Sequence, residues 1–245
     1  MTRGALIVIE GGDGSGKQTQ TKMLVDKLNS EGIITESISF PRYNTPTGRI
    51  VGQCYLGKQN LGEGDVAWFG DADKVDSLLA SLYYAADRRA AAPEMKKKLN
   101  SGINLISDRY YQANMAHQGG KIQGLEKQME FFQALGKIEL DALEIPKEHR
   151  TIFLNMPWRV AFELRKGRGE AEDGHESNKG HLSRAEEVYK RLASINEGIW
   201  ERIDCAPDGT INSLRTPLEI HEEVYRIAKR TIDLVNGKSD TPYKD

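Results

Sequence analysis

Gly4-Ala5-Leu6-Ile7-Val8-Ile9-Glu10-Gly11-Gly12-Asp13-Gly14-Ser15-Gly16-Lys17 runs from an aliphatic stretch of strand length into a glycine-rich turn. A helical pattern follows, with Met23, Leu24 and Leu28 at helix spacing. Buried strand, glycine loop and helix N-terminus in that order form a phosphate-binding P-loop. Glycines let successive N–H groups turn inward toward phosphate oxygens, the helix start adds unpaired N–H groups, and Lys17 adds a charge. The ligand class is therefore a nucleoside polyphosphate such as ATP, with Gly11, Gly12, Asp13, Gly14, Ser15, Gly16, Lys17, Gln18 and Thr19 as its contacts. Gln18 stands where the pattern G-x-x-x-x-G-K-[ST] has a magnesium-binding hydroxyl.

The rest of the composition is that of an ordinary globule. The chain has 245 residues, 38% hydrophobic and 29% charged, with a formal net charge of −2. That balance gives no global basic field for nucleic acid or a membrane surface. Its longest aliphatic stretches are strand-sized, and the N-terminus lacks a signal-peptide pattern. Cys54 and Cys205 lie apart with no metal-type spacing, so reduced thiols in a cytoplasmic protein are expected.

Strand-like and helix-like segments alternate, the mark of a parallel sheet with helices on both faces. Strands are expected at 4–10, 33–39, 103–107, 151–155 and 201–205, and helices at 17–30, 74–99, 123–136, 158–166, 181–199 and 217–235. Pro93 should kink the longest helix, and Thr216-Pro217 reads as a cap followed by proline at the first helical position. The expected architecture is one α/β domain over 1–235, a three-layer fold around a parallel sheet of about five strands, with a polar tail at 236–245. Residues 165–180 mix Arg165, Lys166 and Arg168 with glycines and acids, a composition suited to a mobile lid.

In open α/β sheets ligands sit outside the carboxyl ends of strands. The segments there are Phe40-Pro41-Arg42-Tyr43 and Asp108-Arg109-Tyr110-Tyr111. Asp108 can hold magnesium or cap the next helix; Arg109 can grip a phosphate or form a surface ion pair. On the long helix Tyr84, Asp87 and Arg88 share a face at i, i+3 and i+4, where an aromatic and a guanidinium can take a nucleobase or pack as tyrosine beside an ion pair.

In order along the chain, the loop Glu10 to Lys17, the segment Phe40-Pro41 with Thr45-Pro46 and Gly48, the helix stretch Tyr84-Ala85-Ala86-Asp87-Arg88, and Asp108-Arg109-Tyr110 with Ala116-His117-Gln118-Gly119 resemble the thymidylate kinases. The resemblance runs from Gly4 to about Thr231 and implies phosphorylation of dTMP to dTDP by ATP with Mg²⁺, in a homodimer joined through its long helices. It implies that Asp13 meets the acceptor's 3′-OH, Tyr84 stacks on thymine, Arg88 and Gln118 bind the base, and Arg109 grips the acceptor phosphate. Phe40, Pro41, Arg42 and Asn114 complete the dTMP contacts, and Asp108 serves magnesium. With Gly14 inside the loop, the catalytic cation is expected in the lid, at Arg165 or Arg168, acting beside Lys17, Asp13 and Arg109.

The chain departs from the family pattern at Gln18, at Ala113, at His117 in place of Tyr, and at Arg42-Tyr43, where the arginine comes one residue early. Two rival functions are a kinase of another nucleotide or a deoxynucleoside, and a nucleotide-binding regulatory protein. Arg109 beside Asp108 favours an anionic acceptor, and a regulatory switch needs neither the base-facing helix set nor an arginine-bearing lid.

Overall fold

Five short strands carry the fold, and the central three, Leu6–Glu10, Asn104–Asp108 and Arg150–Asn155, are buried on both faces because helices cover both. A computed structural model describes residues 3–57, 69–166 and 179–237, with the side chains of 165 and 166 left aside. The strands are β1 (Leu6–Glu10), β2 (Thr35–Ser39), β3 (Asn104–Asp108), β4 (Arg150–Asn155) and β5 (Trp200–Asp204). All pair in parallel in the order β2-β3-β1-β4-β5.

Alternation along β1 divides the core. Ala5, Ile7 and Ile9 pack with Ile106, Ile152 and Leu154 against α1 (Lys17–Ser30) and α8 (Pro217–Asn236). Leu6 and Val8 pack with Leu105 and Phe153 against α3 (Ser77–Asn100), α4 (Tyr111–Gly119), α5 (Leu125–Gly136) and α7 (Lys179–Ile195). Side chains alternate across a strand, so a five-residue run can serve both cores. The other helices are a turn α2 (Pro46–Arg49), which passes into a π-helix Ile50–Tyr55, and α6 (Trp158–Lys166). A second π-helix, Lys137–Ala142, continues α5.

The expected sheet and long helices are present, with ends shifted by a few residues. α3 starts at Ser77, where the Asp76 carboxylate accepts from Leu79 N, and it runs unbroken through Pro93. α8 opens with a full capping box, Thr216 Oγ1 accepting from Glu219 N and the Glu219 carboxylate accepting from Thr216 N. The stretch after β3, read as a loop, becomes helical at Tyr111. Within 206–216, Asp208 accepts from Thr210 N and Thr210 Oγ1 to close a turn before a 3-10 segment Ile211–Ser213. The polar tail beyond residue 237 and most of the lid, 167–178, lie outside the described residues. No helix among the described residues is long and apolar enough to cross a membrane.

Candidate active site

β1 delivers the P-loop to the top of the sheet. Gly11 has φ 155°, and a Cβ there would lie 2.6 Å from Ser15 Oγ and 2.7 Å from the Leu154 carbonyl, so no side chain fits. Gly16 is left-handed and starts α1 with no side-chain cap, which leaves the first helical N–H groups facing the loop. Lys17 Nζ donates to the Gly11 and Gly12 carbonyls at 2.9 and 2.7 Å. Burial, reinforced by the Arg109 charge, pushes its pKa down to about 8. The negative charge of an arriving phosphate would push it back up. Gln18 and Thr19 are exposed.

β3 runs beside β1 and ends level with it, Ile9 opposite Asp108. Asp108 is buried, and its Oδ1 has no hydrogen-bond partner. An orphaned carboxylate oxygen beside a phosphate loop fits a divalent cation, since a buried acceptor without a donor is otherwise costly. No cluster of three or more potential metal ligands occurs among the described residues, so a cation here would share its shell with phosphates and water.

Arg109 follows in the left-handed region, φ 64°, its N–H bonded to the Ile9 carbonyl. Its guanidinium pairs with Asp13 of the P-loop. Burial opposes the charge on Arg109, and Asp13 and Asp108 more than restore it.

The turn at Arg109 is followed at once by α4, whose N-terminus is capped from another strand. Glu10 Oε1 accepts from Tyr110 N at 2.8 Å and Ala113 N at 3.1 Å, while Oε2 accepts from the Tyr189 hydroxyl of α7. Held this way, α4 presents Asn114, His117 and Gln118 at i, i+3 and i+4 to a cavity. α3 presents Tyr84 and Arg88 to the same cavity, and the segment after β2 adds Phe40 and Pro41, joined by a cis peptide. Asp13 and Arg109 complete the wall on the P-loop side. Tyr84 meets Tyr55 edge-on at 5.8 Å, and Gln118 Nε2 donates to the Tyr55 hydroxyl. Asn114 Nδ2 donates to the Ser81 carbonyl, which leaves Oδ1 buried without a donor.

One expected contact, Arg42, turns elsewhere. Arg42 is absent from the cavity wall because Asp87 holds it: Asp87 accepts from Arg42 N, Arg42 Nε and Thr47 Oγ1 at 2.7, 3.2 and 2.7 Å. Asp87, grouped by spacing with Tyr84 and Arg88, is fully buried and serves the 42–47 segment instead of a ligand. Gly48 packs so tightly there that a Cβ would lie 2.0 Å from the Arg42 carbonyl. Tyr43, next to Arg42, does line the cavity. The lid cations Arg165 and Arg168 lie beyond what is described: Arg168 falls outside the described residues, and Arg165 is described by backbone alone.

Sequence reasoning passed over Glu10, Tyr55 and Glu139, which support the cavity, and left His117 without a role. His117 Nδ1 lies 3.1 Å from His181 Nε2, and His181 Nδ1 lies 3.1 Å from Asp73 Oδ1. For Glu10 the signal was a lone charge closing an aliphatic strand.

Burial pushes Glu10 up to about 7 from its ordinary 4.5, and Glu148, bonded to the Tyr111 and Gln112 side chains in the same first turn of α4, also up to about 7. The folded chain therefore holds two protons that the unfolded chain has released, and the stability they contribute is lost as pH rises from 4.5 through 7. His221, held below its usual value by burial, works the opposite way, and the carboxylates shifted downward titrate below this range. Melting temperature is thus expected to fall between pH 5 and pH 8, and Glu148→Gln to flatten part of that slope. A slope unchanged in Glu148→Gln would remove Glu148 from the account.

Comparison with known proteins places nearly the whole chain among relatives. A family model described as "Thymidylate kinase" matches residues 9–210. The thymidylate kinase of Danio rerio is 28% identical over 232 residues, covering 95% of this chain and 93% of the relative. That of Homo sapiens is 29% identical over 206 residues, covering 83% and 84%. The solved thymidylate kinase of Candida albicans superposes with a TM-score of 0.65 over 94% of this chain and 93% of its own, at 22% identity, a likeness of fold. The P-loop beside a walled cavity, the sheet order and these matches together establish that the chain belongs to the thymidylate kinase family.

Proposed function

We propose that the chain transfers the γ-phosphoryl group of ATP to the phosphate of dTMP, giving dTDP. The observation that carries this reading is the Asp13–Arg109 pair, which joins the P-loop to the neighbouring cavity. A donor bound through the Gly11–Thr19 loop and an acceptor held in the cavity would then meet across one ion pair. Arg109 would take the acceptor phosphate by its planar fork, and Asp13 the sugar hydroxyl.

The base end supports a thymine-type ring. Arg88 has only N–H groups to offer, and Asn114 Oδ1 lacks a donor. A pyrimidine dione brings a carbonyl for Arg88 and an adjacent ring N–H for Asn114 Oδ1; cytosine set in the same register would turn its amino group toward the Arg88 donors and its bare nitrogen toward Oδ1, mismatching both. Tyr84 would stack on the ring and Gln118 flank it.

The acceptor phosphate is already anionic, so catalysis rests on position and charge neutralisation. Lys17 would hold the β/γ-phosphates and the lid arginines Arg165 and Arg168 the transferring group. Asp108 would hold Mg²⁺, with water replacing the hydroxyl that Gln18 lacks. When bound, Mg²⁺ neutralises phosphate charge.

Leu78, Leu79 and Leu82 of α3 are between 42% and 44% exposed, an apolar face suited to a homodimer. Cys54 and Cys205 are buried and unpaired, in keeping with the cytoplasm.

ADP release measured with dTMP, dUMP, dCMP, dGMP and thymidine tests the reading. The expected order places dTMP first and dCMP near background. Absence of turnover with every acceptor would sink the kinase reading, and a preference for thymidine would make the chain a nucleoside kinase.

A further inference from the structure

Behind the cavity wall Arg88 is paired with a buried carboxylate, Glu139, that has no part in the chemistry above. Arg88 is 2% exposed, and Glu139 is fully buried beneath it. Arg88 Nε lies 3.1 and 2.9 Å from the two carboxylate oxygens, and its Nη2 also bonds Oε1. Glu139 reaches this position from the π-helix that extends α5. Phe132, Leu135 and Glu139 continue one buried stripe at steps of three and four, so the carboxylate occupies a place where the pattern calls for an apolar side chain. Burying two ions costs several kcal/mol each in typical proteins, and an apolar pair commonly serves stability as well. Stability alone therefore does not account for a carboxylate here.

We infer that Glu139 is a positioning residue that cancels the Arg88 charge and thereby fixes which end of the acceptor enters the base end of the cavity. The inference rests on the dTMP kinase reading. Two of the five guanidinium N–H groups face Glu139, so the fork is locked in one plane and the remaining N–H groups meet the ligand from a neutral pair. A neutral donor suits the carbonyl of an uncharged ring. Without Glu139, Arg88 would be an unopposed cation deep in the pocket and would compete with Arg109 for the acceptor phosphate. Arg109 retains 29% side-chain exposure, so an entering anion reaches it more readily than Arg88.

The test measures inhibition by inorganic phosphate against dTMP. In Glu139→Gln, phosphate is expected to inhibit about tenfold more strongly than in the parent, equivalent to about 1.4 kcal/mol. Glu139→Asp, which keeps the charge, should raise the KM for dTMP with no gain in phosphate inhibition. In the unaltered protein, thymidine and phosphate should inhibit together without excluding each other, since only the Arg109 end accepts an anion. This arm holds even if Glu139→Gln fails to fold. Mutually exclusive inhibition, or a folded Glu139→Gln that loses dTMP affinity without gaining phosphate inhibition, overturns the inference and leaves Glu139 a structural support. Absence of dTMP turnover in the parent would instead overturn the kinase reading.

Discussion

Arg109→Ala is expected to lower kcat/KM for dTMP by about 10²–10³-fold, the cost of removing a charge-stabilising donor from a reacting phosphate. ATP binding should change little. The substitution removes the counterion of Asp13 as well as the phosphate grip, because the two side chains are paired. Without the Arg109 guanidinium beside it, the Asp13 carboxylate inside the P-loop would repel the transferring phosphoryl group more strongly, so kcat should fall along with acceptor affinity. Arg109→Lys should recover only part of the loss: a lysine supplies a point charge without the fork. Initial rates at saturating ATP, with ATP affinity measured separately by competition, distinguish the outcomes. Equal loss for both substrates would place Arg109 on the donor side.

The largest expected effect on stability belongs to Asp87. Its carboxylate accepts from one backbone N–H, one guanidinium and the hydroxyls of Thr45 and Thr47, and its carbonyl accepts from Arg42 Nη2. Asp87→Ala leaves Arg42, 17% exposed, without its carboxylate partner, keeping only the main-chain carbonyl bond, and loosens the 42–47 segment. A loss of about 3–5 kcal/mol is expected by comparison with other broken buried pairs, or roughly 10 °C in Tm for a chain of this size. Asp87→Asn, which keeps an acceptor, should cost less. Denaturant unfolding measures both, and a loss below about 1 kcal/mol for Asp87→Ala would mean the segment is held by its own turns.

The features that failed to show in the sequence have a common physical cause. β1 and the P-loop were legible because aliphatic run, glycines and lysine are contiguous. Tyr84 and Arg88 were legible as a helical i, i+4 pair. α4 was not, because eight of its nine residues are buried, so no polar face marks a helical period. Its cap is also remote: Glu10 lies 100 residues before Tyr110 in the chain. The destination of Arg42 was hidden for the same reason, its partner Asp87 being 45 residues away. Glu139 left a trace, an acid on an apolar stripe, yet only the fold supplies the arginine that makes the position tenable.

Asp108 stands opposite Ile9 on one side and Ser39 on the other, and its carbonyl accepts from Phe40 N. One residue is thus the common zero from which the P-loop and the Phe40-Pro41 segment are both measured. Slipping β3 by one residue would turn every side chain to the opposite face, and slipping it by two would carry Asp108 about 6.6 Å along the sheet. Either change would pull the two substrate-facing segments out of reach of each other. The chain can therefore gain or lose length in the connections between strands, while β3 itself tolerates neither an insertion nor a deletion.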